Sequence, residues 1–203
     1  MYKKYIKRIL DIIISALLMI ILFPLFVITY LLVRIFLGNP VIFKQEREGL
    51  DKKSYVMYKF RVMDFNYSAK REERMNKIGK FLDICKLNEL PQLFNVLKGD
   101  MSLVGPRPFI PKDALPTEVP KERYSVRPGM TGLAQVNGGV FISHNKKIEY
   151  DVIYVNNVSF WLDLKILVKT PFKIIYDYAI IVKSRIRKSS HKHKKSLWDY
   201  WFN

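Results

Sequence analysis

The sequence predicts a mostly helical α+β fold that contacts a membrane through an N-terminal helix. Three observations support this prediction. Residues 12–33 carry no charged side chain. Two later segments, 41–45 and 54–61, are rich in β-branched and aromatic residues and flank a turn around Gly49. Farther along, apolar residues recur at helical spacing in several segments, which indicates amphipathic helices packed on a small core.

The uncharged run is long enough to cross a bilayer, because as a helix it would measure about 33 Å. Pro24 lies near its middle, where a proline removes a backbone donor and bends a helix. Basic residues flank the run on both sides, and basic flanks favour the cytoplasmic face. The residues alone leave open whether this helix spans the membrane or enters, bends and returns. In the second case Ser15 and Thr29 are candidate partners for backbone groups freed at the bend.

The charge balance predicts an anionic partner. The 203 residues include 35 lysines and arginines against 18 acidic residues, a formal charge of +17. Such an excess suits nucleic acid, an anionic lipid surface or a phosphorylated substrate. We expect no nucleic acid, because no recognised nucleic-acid module is present and the apolar run opposes that class. The single cysteine, Cys85, cannot form an internal disulfide, and we interpret it as core filler in a reducing compartment.

The remaining elements follow in chain order. The two β-rich segments predict a β-hairpin, and the polar residues 67–80 predict a solvated helix or loop. Apolar residues at helical spacing then predict a helix that Asn88 caps, that carries Pro91 in its first turn and that ends at Gly99. The six prolines among residues 105–140 predict an ordered loop region without long regular elements.

The C-terminal third is predicted to be helical. Residues 146–155 form a short helix, and residues 160–183 form an amphipathic helix, broken or kinked at Pro171, that lies in the membrane interface. The basic and aromatic segment that follows suits either an anionic membrane surface or a solvated tail. We therefore divide the chain into a basic segment with a proline-broken helix (1–38), a cytosolic or interfacial domain (39–182) and a tail (183–203).

Residues 86–108 hold the side chains best suited to chemistry. The pair Asn88-Glu89 is predicted at a helix start, where backbone donors favour an anion such as pyrophosphate. Arg107 lies between two prolines, so its guanidinium suits a preorganised phosphate clamp or a structural ion pair. Lys59 and Arg61 end the second predicted strand and are placed to reach the same site.

Other polar residues carry weaker signals. Arg127, in a Pro-Gly turn, repeats the pattern of a cation on a rigid backbone. Asp100 follows the predicted helix and serves either as an electrostatic partner or as a turn acid. His191 and His193 lie in the basic tail, so we interpret them as solvated rather than as metal ligands, and His144 stands alone.

Taken together, the motifs resemble the monotopic phosphoglycosyl transferases of bacterial glycan assembly, and the small single-domain members most closely. The resemblance covers roughly residues 1–182. Its pieces are the proline-broken helix and, farther along, Val41–Gly49, Tyr58–Met63, Leu87–Pro108, Val126–Gly138 and Glu149–Tyr154.

The resemblance implies a re-entrant helix broken at Pro24, a small hairpin, a compact cytosolic core and interfacial helices on the cytoplasmic face of the bacterial inner membrane. It implies Mg²⁺-dependent transfer of a sugar 1-phosphate from a UDP-sugar to undecaprenyl phosphate in capsule, exopolysaccharide or glycoprotein assembly. Membrane lipids, a second copy of the chain and other glycan-assembly enzymes are the further partners expected. Positions 88 and 89 would be catalytic, with Glu89 also at the metal, and the substrate and its phosphates would contact Lys59, Arg61, Arg107, Arg127 and Gln135.

Asn88 departs from the family pattern, which usually has an aspartate there that attacks the β-phosphate and forms a phosphosugar intermediate. An amide is a poor nucleophile and a weak magnesium ligand. Further departures near the site are Val62, Asp83, Ile84 and Gly139. Two hypotheses follow: a transferase in which Glu89 is the remaining acid, or a catalytically impaired member that acts as a binding or scaffold subunit.

Overall fold

The computed structural model describes residues 1–65, 68, 73–111 and 119–202, and within them the side chains of all but residues 4, 140, 181, 182 and 184–202. The predicted α+β class with mostly helical content is confirmed. The helices are α1 (Lys7–Ile21), α2 (Phe23–Phe36), α3 (Lys77–Ile84), α4 (Gln92–Lys98), α5 (Leu133–Val136), α6 (His144–Asn156) and α7 (Phe160–Phe202). The strands are β1 (Ile42–Glu48), β2 (Ser54–Phe60), β3 (Ser102–Val104) and β4 (Gly129–Thr131).

The apolar run forms two helices rather than one. α1 and α2 meet at Leu22 with a bend of 64°, and Pro24 is the second residue of α2, as its position in the run predicts. In the part of the chain that the structure describes, no single helix is both long and apolar enough to cross a bilayer, whereas this bent pair meets the criterion jointly. Length and composition alone therefore allow either a broken span or a re-entrant loop.

The prediction that Ser15 and Thr29 satisfy backbone groups at the bend is wrong. Both hydroxyls are fully buried, and neither finds a hydrogen-bond partner among the described residues. The bend needs no such help, because backbone bonds continue across it. The amide of Leu22 donates to Leu18 at 2.8 Å, and the amide of Phe26 donates to Leu22 at 2.9 Å.

The predicted hairpin is confirmed. β1 and β2 pair antiparallel from Ile42 opposite Phe60 to Glu48 opposite Ser54. Strand alternation directs Tyr55 and Met57 into the core, where both are buried.

The helix after Cys85 begins later than predicted. Lys86 adopts a left-handed conformation with φ of 60°, and residues 87–89 form a tight 3₁₀ turn before α4 begins at Gln92. Asn88 lies inside that turn and is not a helix cap, because its side chain points to another side chain and not to the helix amides. The predicted stop is correct: Gly99, with φ of 103°, ends α4 in the left-handed region that glycine adopts without strain.

The proline-rich region contains a small parallel sheet that was not predicted. Ser102 pairs with Gly129, and Val104 pairs with Thr131. Two glycines permit this approach, since a Cβ on Gly129 would lie 2.1 Å from the backbone nitrogen of Gly105. Short strands that pair across a long connection leave little local pattern in a sequence.

The two C-terminal helices begin near their predicted positions, and they differ from the prediction at Pro171. α6 confirms the short predicted helix. The helix is not broken at Pro171, since α7 continues through it, and the alternative of a kink there stays a prediction. The preceding residue, Thr170, donates from its hydroxyl to the carbonyl of Ile166 at 2.8 Å and contacts the Thr131 hydroxyl at 2.8 Å.

Two apolar clusters form the core. One joins the hairpin to α4, β3, α6 and α7, and its fully buried members include Val96, Met101 and Tyr154. The other joins α2, the end of the hairpin and α3 around Val33 and Leu82. Phe26 of α2 packs against both clusters, which couples the bent helix pair to the rest of the molecule. Of the predicted polar segment 67–80 the structure describes residues 68 and 73–80, which form a loop followed by the start of α3 and are partly packed, since Met75 and Gly79 are buried. The side chains of the tail beyond residue 183 lie outside the described residues.

Candidate active site

Glu89 is the centre of a charged cluster at the end of the 3₁₀ turn. Its carboxylate is only 12% exposed, and its Oε1 lies 3.4 Å from Nη2 of Arg107 and 3.8 Å from Nζ of Lys59. Lys59 comes from β2, and Arg107 from the loop after β3. The fold therefore brings together three of the predicted site residues from separate parts of the chain, and we call these three side chains the Glu89 cluster.

The charges in this cluster shift the pKa values of its members. Burial alone would raise the pKa of Glu89, but Arg107, Lys59 and Lys86 outweigh that effect and lower it to about 2. Burial lowers the pKa of Lys59 to about 8, although the Glu89 carboxylate opposes that shift. Near neutral pH the cluster therefore holds an ionised carboxylate beside more positive charge than it neutralises, which is suited to an incoming anion.

Asn88 directly precedes Glu89 in the chain. It is buried and donates a hydrogen bond to a carboxylate. It is 4% exposed, and its Nδ2 donates to Oδ1 of Asp83 at 3.3 Å. Its Oδ1 is buried and has no hydrogen-bond partner among the described residues. A buried amide oxygen without a partner costs free energy, which makes it a candidate ligand atom for a bound group.

Arg107 presents its guanidinium at the surface while its backbone is held rigidly. The side chain is 49% exposed, and the carbonyl of Arg107 accepts a hydrogen bond from the guanidinium of Arg123. A fixed backbone with a half-exposed guanidinium is the arrangement expected of a phosphate clamp. The contact with Glu89 means that the ion-pair interpretation of Arg107 is also correct in this structure.

Two of the predicted phosphate-binding arginines lie elsewhere. Arg61 is 5% exposed, donates to the carbonyl of Leu37 and stacks 4.9 Å from the ring centroid of Phe65. It is placed there because it follows β2 and turns toward the end of α2, so its predicted substrate contact is not supported. Arg127 donates from Nε to the carbonyl of Gly99 at 2.8 Å, where it satisfies the C-terminal end of α4.

Gln135 also stands apart from the Glu89 cluster. It lies in α5, and both of its amide atoms are buried without a hydrogen-bond partner in the described part of the chain. No contact between described residues joins it to Glu89, so its predicted role in substrate binding stays a prediction.

Asp100 is a turn acid. Its Oδ2 accepts from Nδ2 of Asn95 at 3.2 Å and lies 3.3 Å from Nζ of Lys98. His144, the isolated histidine, stacks on Phe109 with ring centroids 5.1 Å apart. Cys85 is half-buried and burial raises the pKa of its thiol, in keeping with an unreactive side chain.

Sequence reasoning missed several residues that shape the site. Lys86 adds positive charge near Glu89, and Gln92 is 2% exposed with its Nε2 unpartnered among the described residues. Arg47 and Arg123 both donate to the backbone around Arg107. The sequence assigned these two arginines no role. Arg47 lies in the Val41–Gly49 motif, on β1, and Arg123 lies sixteen residues beyond Arg107, so only folding brings both to this loop.

Comparison with known proteins identifies the family. The sequence profile of the family described as bacterial sugar transferase matches residues 2–177. The chain is 45% identical over 181 residues to an uncharacterized sugar transferase, EpsL, of Bacillus subtilis, covering 86% of this chain and 89% of that protein. It is 40% identical over 183 residues to the UDP-glucose:undecaprenyl-phosphate glucose-1-phosphate transferase of Klebsiella pneumoniae, covering 82% and 39% respectively. A transferase of the same name from Caulobacter vibrioides is 36% identical over 180 residues, with 81% and 67% covered.

The chain therefore belongs to the bacterial sugar transferase family, which confirms the resemblance drawn from its separated motifs. It spans most of the Bacillus relative and about two fifths of the larger Klebsiella protein. Several relatives are named for phosphotransfer of glucose, galactose or N-acetylgalactosamine to undecaprenyl phosphate. These names describe enzymes and give no support to the binding or scaffold hypothesis.

Proposed function

We propose that this protein transfers a sugar 1-phosphate from a UDP-sugar to undecaprenyl phosphate and releases UMP, at an early step of bacterial glycan assembly. Family membership supports the reaction class. The observation that carries the proposal is the Glu89 cluster, where Arg107 and Lys59 approach one buried carboxylate oxygen at 3.4 and 3.8 Å. These distances are long for charge-assisted hydrogen bonds, so both cations retain capacity to bind phosphate oxygens.

The chemistry at position 88 dictates the route. An amide is too weak a nucleophile to take the sugar phosphate, so we propose a single displacement in this chain. A phosphate oxygen of undecaprenyl phosphate attacks the β-phosphorus of the UDP-sugar. The bond from that phosphorus to the bridging oxygen breaks, and UMP leaves with the electron pair. Arg107 and Lys59 stabilise the charge that develops on the transferring group and on UMP.

The residues at the site fit Mg²⁺, which the family resemblance implies. Among the described residues there is no group of three or more histidine, cysteine or acidic side chains that would form a complete cage. Mg²⁺ bound with a substrate phosphate commonly takes only one or two carboxylates from the protein. We propose that Glu89 and the unpartnered Oδ1 of Asn88 hold it. When bound, the ion would neutralise charge on the diphosphate.

We also propose that the protein is held at the cytoplasmic face of the inner membrane by a helix pair that enters and returns. The support is an apolar surface without a protein partner, which is the feature expected of a membrane contact. Large apolar side chains that are about half exposed or more occur on both helices of the pair and on α7, among them Ile20, Ile21, Phe23, Ile35, Trp161, Phe172 and Ile175.

The topology is tested by labelling cysteines placed at Lys3 and Lys52 in a Cys85→Ser background, in sealed inverted vesicles. A re-entrant pair leaves both positions on one face, so an impermeant maleimide labels both equally. Labelling of only one position would show that the pair spans the bilayer.

The activity is tested by measuring UMP release from UDP-glucose, UDP-galactose and UDP-N-acetylgalactosamine with undecaprenyl phosphate and Mg²⁺. We expect slow release by the wild type and a rate at least about tenfold higher for Asn88→Asp, because a carboxylate opens a covalent route. A radiolabelled sugar phosphate should be trapped on the variant and not on the wild type. Equal rates for the two proteins would contradict the role assigned to position 88, and absence of release from both would reject the proposed reaction.

A further inference from the structure

The loop that carries Arg107 is held at every backbone carbonyl from residue 106 to residue 109. Each of these four oxygens accepts a hydrogen bond from a different residue. The donors, in order, are the amide of Gly129 at 2.9 Å, the guanidinium of Arg123, Nη1 of Arg47 at 3.2 Å and the amide of Glu48 at 2.9 Å. A loop fixed this completely cannot readily redirect the side chain that it presents.

Two of the four donors are side chains, and Arg123 is the more buried of the two. It is 3% exposed, its Nε donates to Oδ2 of Asp151 at 2.9 Å, and its guanidinium carbon lies 3.6 Å from the ring centroid of Phe109. One guanidinium therefore contacts the carbonyl of Arg107, the ring two residues farther along and a carboxylate on α6. Only a planar group with several donors makes these contacts together.

Asp151 balances the buried charge of Arg123. It is 2% exposed, and its second oxygen, Oδ1, has no hydrogen-bond partner among the described residues. Burial raises the pKa of Asp151 to about 6 even though Arg123 opposes the shift, so the carboxylate is ionised at neutral pH. A buried ion pair usually contributes little to stability compared with apolar packing, which favours a role in specifying geometry.

We propose that Arg123 and Asp151 are positioning residues, which hold the backbone of Arg107 so that its guanidinium meets the diphosphate of the UDP-sugar beside Glu89. The assignment rests on the proposed function. It differs from a purely structural role, because the pair would act on the substrate through one residue, Arg107. A structural pair would instead affect stability alone, or would affect the whole site without regard to Arg107.

A double-mutant cycle separates the two roles. Asp151→Asn and Arg123→Lys are each combined with Arg107→Ala, and the readouts are Kd for UDP by calorimetry and KM and kcat for UMP release. In the parent, each single variant should raise Kd and KM by about tenfold with a much smaller change in kcat, since a displaced clamp weakens binding. In the Arg107→Ala background, the same changes should raise Kd by less than about twofold.

Failure of the Lys substitution to rescue binding is part of the expectation, because an ammonium replaces the charge but not the planar set of contacts. Equal factors with and without Arg107 would overturn the proposal. If the buried variants do not fold, Phe109→Leu provides the test, since it removes the stacking surface of Arg123 and leaves the ion pair. It should raise Kd severalfold, again only when Arg107 is present.

Asp163→Asn is the matched control. Asp163 is 5% exposed and accepts from Lys7 at 2.7 Å, so it resembles Asp151 in burial and in having a buried cation partner, but it makes no contact with the Arg107 loop. We expect a lower Tm with Kd for UDP unchanged. UMP release from the Asn88→Asp variant tests the proposed reaction separately. The Kd for UDP tests the positioning role even if no UMP is released.

Discussion

Two buried polar networks in this molecule differ in how fully their hydrogen-bonding groups are satisfied. The first, which we call the anchor network, joins α1 to α6, α7 and β3. Asp163 accepts from Lys7, Tyr2 and Tyr154, each at 2.7 Å, while Asp11 accepts from Ser102 at 2.7 Å and from the amide of Leu103 at 3.1 Å. Every carboxylate oxygen in it has a partner.

The Glu89 cluster also pairs a carboxylate with cations, but its hydrogen bonding is incomplete. Its two ion-pair distances are longer, at 3.4 and 3.8 Å, and the neighbouring Asn88 and Gln92 each bury a polar atom without a partner among the described residues. Saturated networks fix one structure, whereas unsatisfied buried groups are a cost that a ligand can remove. The comparison indicates that the anchor network holds the N-terminal helix to the core, and it supports our proposal that a substrate binds at the Glu89 cluster.

The largest expected effect is the loss of stability when the anchor network is broken. Asp163→Ala removes the acceptor that lies 2.7 Å from the buried Lys7 ammonium, leaving that ammonium only Asp11 at 4.0 Å, and it removes an acceptor of Tyr2 and of Tyr154; the free energy of unfolding should fall by about 3–5 kcal/mol. Denaturant unfolding in detergent measures it, with Glu149→Ala, in an exposed pair with Lys146, as control. A loss below about 1 kcal/mol would show that the network is not what holds these helices.

The second effect is on binding and activity. Arg107→Ala removes a half-exposed clamp, so UMP release at subsaturating UDP-sugar should fall by about 100-fold. Its stability should fall by no more than about 1–2 kcal/mol, because the guanidinium is half exposed and Lys59 and Lys86 remain near the Glu89 carboxylate. Parallel kinetics and unfolding curves measure both. The contrast between the two networks would be lost if this variant were as destabilised as Asp163→Ala.

The third effect is the pH dependence of the Glu89 contribution. Because the folded pKa of Glu89 is about 2, below its ordinary value of 4.5, the ionised carboxylate stabilises the fold fully above about pH 4.5. That contribution, on the order of 3 kcal/mol, is lost as pH falls through the folded pKa. The stabilities of wild type and Glu89→Gln should therefore differ most near pH 6, and the difference should narrow below about pH 4.5 and vanish only at and below about pH 2. A difference that stayed constant over this range would mean that the cations do not hold Glu89.

The smallest expected effect is the change in stability when the unpartnered amide of Gln92 is replaced. Gln92 is 2% exposed with an unpartnered Nε2, so Gln92→Met should leave the free energy of unfolding unchanged or raise it by up to about 1 kcal/mol. Denaturant unfolding measures the change. The matched variant Asn95→Leu, at a fully buried amide that bonds to β2, should instead destabilise. Clear destabilisation by Gln92→Met would mean that its amide is satisfied.

Much of the fold can be predicted from local sequence patterns. The bend next to Pro24, the β1–β2 hairpin and the glycine stop at Gly99 follow from backbone restrictions and from apolar periodicity, which act within a few residues. The failures share another cause. Pro171 remains inside α7, where the preceding Thr170 contacts Thr131 of β4, and Arg61 turns away from the site because its guanidinium donates to the carbonyl of Leu37 after α2. Both positions are packed against residues distant in the chain.

Only part of the candidate site was predicted, because some of its contacts also join residues distant in the chain. Glu89, Lys59 and Arg107 were identified from their types and motifs, and they do meet. Arg47 and Asp151 lie within motifs that carry the resemblance, and Arg123 lies outside them, but none of the three was assigned a role from the sequence. Their contribution depends on the carbonyls and the charge that they reach after folding.

The sequence by itself determined the family, the apolar helix pair with its bend, and the residue types that a phosphate site requires. These follow from chemistry carried by single residues and from short-range backbone preference. The tertiary structure alone decided which cations surround Glu89, that Asn88 sits in a tight turn facing Asp83, and that a buried arginine fixes the Arg107 loop. Such contacts depend on burial and on distances between segments far apart in the chain, and no local pattern encodes them.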